Sequence, residues 1–204
     1  MGARLAAVRV GGSREPWEAL GFAADESGRI PLRNGALEFT QADRGMSGMV
    51  VDTTGAVPDD IEGVGLYRGH VVPTLEQPNG AFELDHVVLM TAALERSSDA
   101  VEAALGLPCK RIRETETVRQ AFHRFADETD ARGCIIEIVE SPRVECTSLF
   151  GLVVNVADLD AVCERWGSDV IGTPKPAVQP GRRIATVRST VGLGVAVALM
   201  TPDR

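Results

Sequence analysis

The order of predicted elements repeats along this chain, and the repeat restricts the fold more than any other feature of the sequence. Apolar periodicity and turn residues predict a strand, a helix and three strands in succession, and the same order then occurs again. The predicted elements of the first copy are residues 85–91, 93–105, 110–118, 120–125 and 132–139; those of the second are residues 149–156, 158–166, 170–178, 183–189 and 194–200. We therefore predict an α+β protein of repeated βαβββ modules, with two full modules between residues 83 and 201.

The first 80 residues show a shorter form of the same pattern. Residues 37–39 (L-E-F) resemble residues 136–138 (I-E-I), and residues 48–52 (G-M-V-V-D) resemble residues 151–155 (G-L-V-V-N). The elements predicted in this part are strands at 4–10, 23–40 (broken at Asn34-Gly35), 48–52 and 65–72, a short helix capped by Ser13, a helical turn at 58–61 and a linker at 76–80. This predicts a degenerate, compressed module pair in residues 1–80 and the two full modules in residues 81–204.

Composition limits the classes of partner. The 204 residues carry a net charge of −8, which argues against nucleic acid and against an anionic membrane surface. No apolar run approaches the roughly 18 residues of a membrane span, and the first ten residues lack a secretory apolar region, so a cytoplasmic protein is expected. The four cysteines are far apart, which supports neither a disulfide framework nor a zinc site.

His86 is the most unusual residue of the predicted strands. It lies within the apolar run E-L-D-H-V-V-L-M at residues 83–90. An imidazole in such a strand requires a hydrogen-bond partner, a metal or a cavity, because burying an unsatisfied polar group is costly. His86 is therefore predicted to mark a binding pocket.

Six short motifs, in this order and spacing, resemble the vicinal oxygen chelate superfamily, which includes glyoxalase I, extradiol dioxygenases and bleomycin-resistance proteins. They are L-D-H-V-V-L at 84–89, A-L-G-L at 104–107, I-I-E-I-V-E at 135–140, G-L-V-V-N-V-A-D-L-D at 151–160, P-G-R-R-I-A-T-V-R at 180–188 and V-A-L-M-T-P at 197–202. The resemblance implies paired βαβββ modules whose curved sheets close around a cup. It also implies a glyoxalase-like domain at 81–204 and a possible homodimer formed through the sheets.

In metal-using members of that superfamily, the first and last strands of each module supply the ligands of a divalent ion. Carried over to this chain, those positions fall on His86 and Glu137 in the first full module. In the second full module they fall on Gly151 and Ala198, which have no donor atom. Half of the ligand set is missing, so we expect no metal cofactor. The alternative is a divalent ion held by His86 and Glu137 with His123 or a subunit partner as a further donor.

Without a metal, His86 and Glu137 form a polar pair in the cup, suited to general acid–base work or to ligand recognition. The other side chains predicted to contact a ligand lie on the strands around them and at the edge of the cup. They are Val88, Met90, Gln120, Phe122, His123, Arg124, Arg183 and Arg188. Strand alternation separates His123 from its neighbours Phe122 and Arg124, but it leaves open which of the two faces points inward. Arg182, Arg183 and Arg188 are either a clamp for a carboxylate or phosphate or ordinary solvent-facing residues.

The resulting functional hypothesis is a glyoxalase-like protein that binds a small organic molecule in a β-sheet cup with an incomplete metal site. The first alternative is a metal-dependent lyase, isomerase or dioxygenase of the same superfamily. The second alternative is a non-catalytic interaction protein. Catalytic roles, if present, are assigned to His86 and Glu137.

Overall fold

The computed structural model describes residues 2–127 and 132–203, which form two mixed β-sheets and three α-helices. This confirms the predicted α+β class. In the part of the chain that is described, no helix is both long enough and apolar enough to cross a bilayer.

The first 68 residues form a six-stranded sheet. Its elements are β1 (Arg4–Val10), α1 (Glu15–Ala19), β2 (Ile30–Leu32), β3 (Gly35–Phe39), β4 (Met46–Asp52), β5 (Asp60–Ile61) and β6 (Val64–Arg68). The strand order is β2-β3-β1-β4-β6-β5. In this sheet β1 pairs antiparallel with β4, while β3 and β6 run parallel to their neighbours β1 and β4.

The described residues from Ala81 to Met200 contain an eight-stranded sheet. Its elements are β7 (Ala81–Thr91), α2 (Leu94–Leu105), β8 (Arg111–Glu114), β9 (Arg119–Arg124), β10 (Ile135–Glu140), β11 (Ser148–Val156), α3 (Leu159–Trp166), β12 (Lys175–Pro176), β13 (Arg183–Thr186) and β14 (Ala196–Met200). The strand order is β12-β13-β14-β11-β7-β10-β9-β8. Each half of this sheet is therefore one βαβββ unit, with the first strands β7 and β11 paired at the centre.

The strand pairing at the centre of each sheet follows the same pattern, which we call the shared register. In the eight-stranded sheet Val88 pairs with Glu137 of β10 and with Gly151 of β11. In the six-stranded sheet Arg9 of β1 holds the equivalent position, because it pairs with both Glu38 of β3 and Gly48 of β4. A duplication would leave this correspondence. The interpretation of residues 1–80 as a degenerate module pair stays a prediction, which the shared register supports.

The main hydrophobic core lies between the sheets. Leu84, Val87 and Leu89 on the inner face of β7 are at most 1% exposed and belong to the same core cluster as Leu5 and Val8 of β1. Helix α2 covers β9 and β10, and α3 packs on β13. Because the inner face of the eight-stranded sheet is filled in this way, its other face is the one available for a ligand.

Several predicted elements differ from the structure. Helix α1 has Arg14 rather than Ser13 as its N-cap, and the strand predicted at 110–118 is only Arg111–Glu114. The helical turn expected at 58–61 is strand β5, because Glu62 (φ 52°) and Gly63 (φ 90°) form a tight turn that returns the chain into β6. The strand expected at 170–178 reduces to the two residues of β12 and an isolated bridge at Ile171. Pro174 and Pro176 lack the N–H groups that a longer ladder would require.

Candidate functional site

A β-bulge in β7 determines the direction of two neighbouring side chains. The register with β11 passes from the pair His86–Val153 directly to the pair Leu84–Val154, so Asp85 has no partner residue of its own. A bulge of this kind interrupts strict alternation and turns consecutive side chains toward the same side of a sheet. Asp85 and His86 therefore both reach the face opposite the core, which we call the cup face.

His86 lies between two carboxylates on the cup face. Its Nδ1 is 2.8 Å from Oδ1 of Asp85, and its Nε2 is 3.2 Å from Oε2 of Glu137. The side chains of His86 and Glu137 are each 15% exposed, whereas that of Asp85 is 7% exposed. Both ring nitrogens thus face an acidic oxygen, which fixes the orientation of the imidazole. We call Asp85, His86 and Glu137 the relay.

Asp85 is held as a carboxylate by its surroundings. Arg182 Nη2 donates to Asp85 Oδ2 at 2.6 Å, and Asn155 Nδ2 donates to the same oxygen at 3.1 Å. Burial raises the pKa of Asp85, but the hydrogen bond with His86 and the charge of Arg182 outweigh burial and lower that pKa to about 2. An ionised Asp85 can only accept, so Nδ1 of His86 carries the proton between them. Nε2 is then the ring atom that can exchange a proton with Glu137.

Glu137 is supported from the opposite side. Gln120 Nε2 donates to Oε1 of Glu137, and Arg113 Nη1 donates to Oε1 of Gln120 at 2.6 Å. A continuous polar row therefore crosses the cup face from strand β8 to the residue that precedes β13. Its members in order are Arg113, Gln120, Glu137, His86, Asp85 and Arg182. Each end of the row is a guanidinium, and the relay lies in its middle.

The donor atoms of this site do not fit a resident divalent ion. His86 and Glu137 supply two donors, and their counterparts in the second module, Gly151 and Ala198, supply none. A Cβ added at Gly151 would lie 2.5 Å from the backbone oxygen of Ala196, so this position has no room for a ligating side chain. Within residues 2–127 and 132–203, no group of three or more His, Cys, Asp or Glu side chains is arranged to hold a metal. Open catalytic metal sites generally require three protein donors.

His123 lies on the face opposite His86, beneath helix α2. It is fully buried, with Nδ1 2.7 Å from the backbone oxygen of Leu107 and Nε2 3.0 Å from Oγ of Ser98. Both ring nitrogens are thus used in packing α2 onto β9. The structure does not bring His123 to the cup, so this ring is not available within the chain as a third metal donor or as a ligand contact.

The neighbours of His123 along β9 lie on the cup face, and their contact with a ligand stays a prediction. Gln120 and Phe122 are on the cup face, because Gln120 bonds Glu137 and Phe122 pairs with Glu137 across β9 and β10. Arg124, two residues further, shares that face. The cup-face residues Val88 and Met90 follow His86 along β7 and are half-buried.

Arg183 and Arg188 lie away from the cup. Arg183 Nη2 donates to Oδ2 of Asp160 on α3 at 2.5 Å, and Arg188 Nε donates to the backbone oxygen of Ser168. The arginine that does reach the site is Arg182, which precedes β13 and is 5% exposed. Sequence patterns indicated Arg182, together with Arg183 and Arg188, as a possible anion clamp at the Pro180-Gly181 turn. They did not identify Asp85 or Arg113 as site residues.

Comparisons with known proteins support the fold. No family model matches the chain, and no curated protein matches it. Among solved structures, methylmalonyl-CoA epimerase from Mycobacterium tuberculosis is similar at 20% identity, covering 61% of this chain and 91% of that chain, with a TM-score of 0.51. A variant of the Streptomyces coelicolor methylmalonyl-CoA epimerase, in complex with 2-nitronate-propionyl-CoA, has 20% identity, coverages of 59% and 97%, and a TM-score of 0.49. At this level of identity, the likeness to the Mycobacterium tuberculosis enzyme shows a shared fold and does not indicate a family.

Proposed function

We propose that this protein binds a small organic molecule on the cup face and moves a proton to or from it through His86 and Glu137. The observation that carries the proposal is the relay: an imidazole fixed at Nδ1 by an ionised carboxylate and facing a second carboxylate at Nε2. A carboxylate-oriented histidine is an effective general acid or base.

The chemistry follows from where the proton can lie. Asp85 keeps a proton on Nδ1 of His86, so proton exchange is confined to Nε2 and to the neighbouring carboxyl group of Glu137. A substrate atom within about 2.6–3.2 Å of either group could give up a proton to it and later receive one back. Gln120 holds the other oxygen of Glu137, which keeps the acceptor oxygen in a fixed position.

The two alternative functions account less well for the site. A metal-dependent lyase, isomerase or dioxygenase would require donors where Gly151 and Ala198 stand. A purely structural or interaction role leaves the relay without a reason, because buried ionic groups add little net stability compared with apolar residues of similar volume. Half-buried acid and base groups in contact are better explained by proton transfer.

Exchange of substrate protons with solvent tests this proposal. A panel of small 2-oxo acids, acyl thioesters and β-keto acids is incubated with the protein in D₂O, and loss of the C–H signal beside the carbonyl is followed by ¹H NMR. We expect accelerated exchange for at least one compound class. His86→Asn and Glu137→Gln should each lower that rate by about 100-fold or more, the usual size of a general acid–base contribution.

The matched control is Arg188→Gln, which removes a guanidinium that bonds the backbone oxygen of Ser168 and does not contact the relay, and it should leave the exchange rate unchanged. If no compound exchanges faster with the wild-type protein than with the His86→Asn variant, the proposed proton transfer is wrong.

A further inference from the structure

We infer that the bound molecule is an organic anion with an apolar chain, and that three arginines of β8 and β9 hold its anionic group. These residues, Arg111, Arg113 and Arg124, are called the arginine patch. The inference rests on the proposed function and names its class of ligand, a carboxylate or phosphate ester.

The arginine patch lies on the same face as the relay. Arg111 pairs with Phe122 and Arg113 pairs with Gln120 across β8 and β9, and paired residues share a face. The bond from Arg113 to Gln120 places that guanidinium on the cup side directly, because Gln120 in turn bonds Glu137. Arg124 follows Phe122 by two residues and therefore shares its face. Alternation thus gathers the three arginines around Phe122.

None of these arginines is paired with a carboxylate of residues 2–127 or 132–203. Within the described residues, no Asp or Glu oxygen lies within 4.0 Å of the three guanidinium groups. Arg113 and Arg124 donate only to neutral acceptors, the Gln120 side chain and the backbone oxygen of Gly133. By contrast, Arg182 at the other end of the polar row is paired with Asp85.

Three unpaired cations on one face stand out because the whole chain has a net charge of −8. Guanidinium groups with free N–H donors match the geometry of carboxylate and phosphate oxygens, which they often bind through two parallel hydrogen bonds. The arginine patch can therefore take up an anionic group without first breaking an existing ion pair.

The rest of the cup face indicates what accompanies the anion. Arg124 pairs with Ile135, and Ile135 pairs with His86, so two strand spacings of about 4.8 Å separate Arg124 from the relay. An anion on Arg124 would place the next few atoms of the molecule over His86. Beyond the relay, the half-buried Val88 and Met90 continue along β7 and offer apolar contact.

Octanoate and its neutral analogue octanamide test the inference by NMR titration, since they share the same chain and a head group of similar size but differ in charge. We expect octanoate to shift the signals of β8, β9 and the Met90 methyl group, and to bind at least tenfold more tightly than octanamide at low salt. Arg111→Gln and Arg124→Gln should each weaken octanoate binding by about tenfold and change octanamide binding by less than twofold. Arg124→Lys should recover part of the loss because it keeps the charge.

Arg183→Gln is the control, because its guanidinium is paired with Asp160 on the helix side; octanoate binding should be unchanged. Equal affinity for octanoate and octanamide, or an equal loss of octanoate binding in Arg183→Gln and Arg124→Gln, would overturn the inference. The proposed function fails separately: charge-dependent octanoate binding without any His86-dependent proton exchange keeps the anion subsite and removes the proton transfer. His86-dependent exchange with no preference for octanoate over octanamide keeps the proton transfer and removes the anion subsite.

Discussion

At the scale of single residues, Asp85 decides which atom of His86 is reactive. Its carboxylate is buried, yet the hydrogen bond with His86 and the charge of Arg182 lower its pKa, so the imidazole has one nitrogen for orientation and one for proton exchange. A neutral residue at this position would leave the tautomer of His86 undetermined. Asp85 therefore determines the tautomer of His86, although the proton is exchanged between His86 and Glu137.

The same contacts link stability to pH. The pKa of Asp85 is about 2 in the folded protein against 3.8 for the ordinary group. A lowered carboxyl pKa gives stability that is fully present above the unfolded value and is lost as pH falls through the folded value. The shift corresponds to about 2 kcal/mol, at 1.36 kcal/mol per pKa unit. We expect Asp85 to account for about this much of the fall in the free energy of unfolding between pH 4 and pH 2, measured by urea denaturation, because other carboxyl groups with lowered pKa values add to the total.

Replacing Asp85 by Asn should remove most of this decrease. Asp160→Asn provides the control, because Asp160 also pairs with an arginine but its side chain is 65% exposed, and exposed ion pairs contribute little. A wild-type pH profile that survives in Asp85→Asn would show that another carboxyl group is responsible.

At the scale of elements, the close pairing of β11 with β14 explains why the second module lacks a ligand. Gly151 faces Ala196 so closely that a Cβ would meet the Ala196 backbone oxygen at 2.5 Å. A side chain at this position would require the strands to separate, so the metal site cannot be completed by substitution at residue 151 alone.

Gly151→Ala should therefore lower the free energy of unfolding by about 1–3 kcal/mol, the usual cost of overpacking a close contact. Thermal unfolding followed by circular dichroism measures the loss. Gly55→Ala is the matched control: its φ is also negative, and the added methyl meets only Thr53 Oγ1 at 3.6 Å. A Gly151→Ala variant as stable as Gly55→Ala would mean that β11 and β14 are not packed this closely.

How much of the site can be predicted from the sequence depends on whether a side chain's direction follows from its own strand or from the packing of other elements. Alternation correctly indicated that Glu137 shares a face with Ile135 and Val139, and the resemblance pointed to His86 as its partner. Alternation would place the side chains of Asp85 and His86 on opposite faces of the sheet. The bulge that brings them to one face arises from the pairing of β7 with β11, so it leaves no pattern in the local sequence. The face of His123 was undetermined for a related reason, since only the packing of α2 decides it.

At the scale of the whole molecule, the six-stranded sheet supports the site from behind. Asn34, in the turn between β2 and β3, accepts from the backbone N–H of Leu84 at 2.9 Å and donates to its C=O at 2.8 Å. Leu84 immediately precedes the bulged Asp85. The turn of one sheet therefore satisfies the backbone of Leu84 where pairing with β10, which begins at Ile135 opposite His86, has ended.

Asn34→Ala tests this support. It would leave a buried N–H and a buried C=O without their partner, at a cost of about 1–3 kcal/mol for each unsatisfied group. We expect lower stability in urea together with altered NMR shifts of the His86 ring, although Asn34 does not contact His86. Arg33→Ala, an exposed change in the same turn, should leave the ring shifts unaltered. Unaltered His86 shifts in Asn34→Ala would mean that the bulge in β7 keeps its geometry without the hydrogen bonds from Asn34.

The shared register of the two sheets has a practical consequence. Glu38 occupies in the first sheet the backbone position that Glu137 occupies in the second, but its neighbours are Arg9 at 3.2 Å and Arg29 at 2.6 Å, both permanent cations. Glu137 instead faces an imidazole, which exists with or without charge. Glu38 can therefore serve as an internal reference for Glu137: both are glutamates at the same backbone position of their sheets, but Glu38 is paired with arginines, whose charge does not change. Isotope-edited infrared or NMR signals of the two carboxylates, compared in one sample, would separate the influence of the imidazole from that of the scaffold.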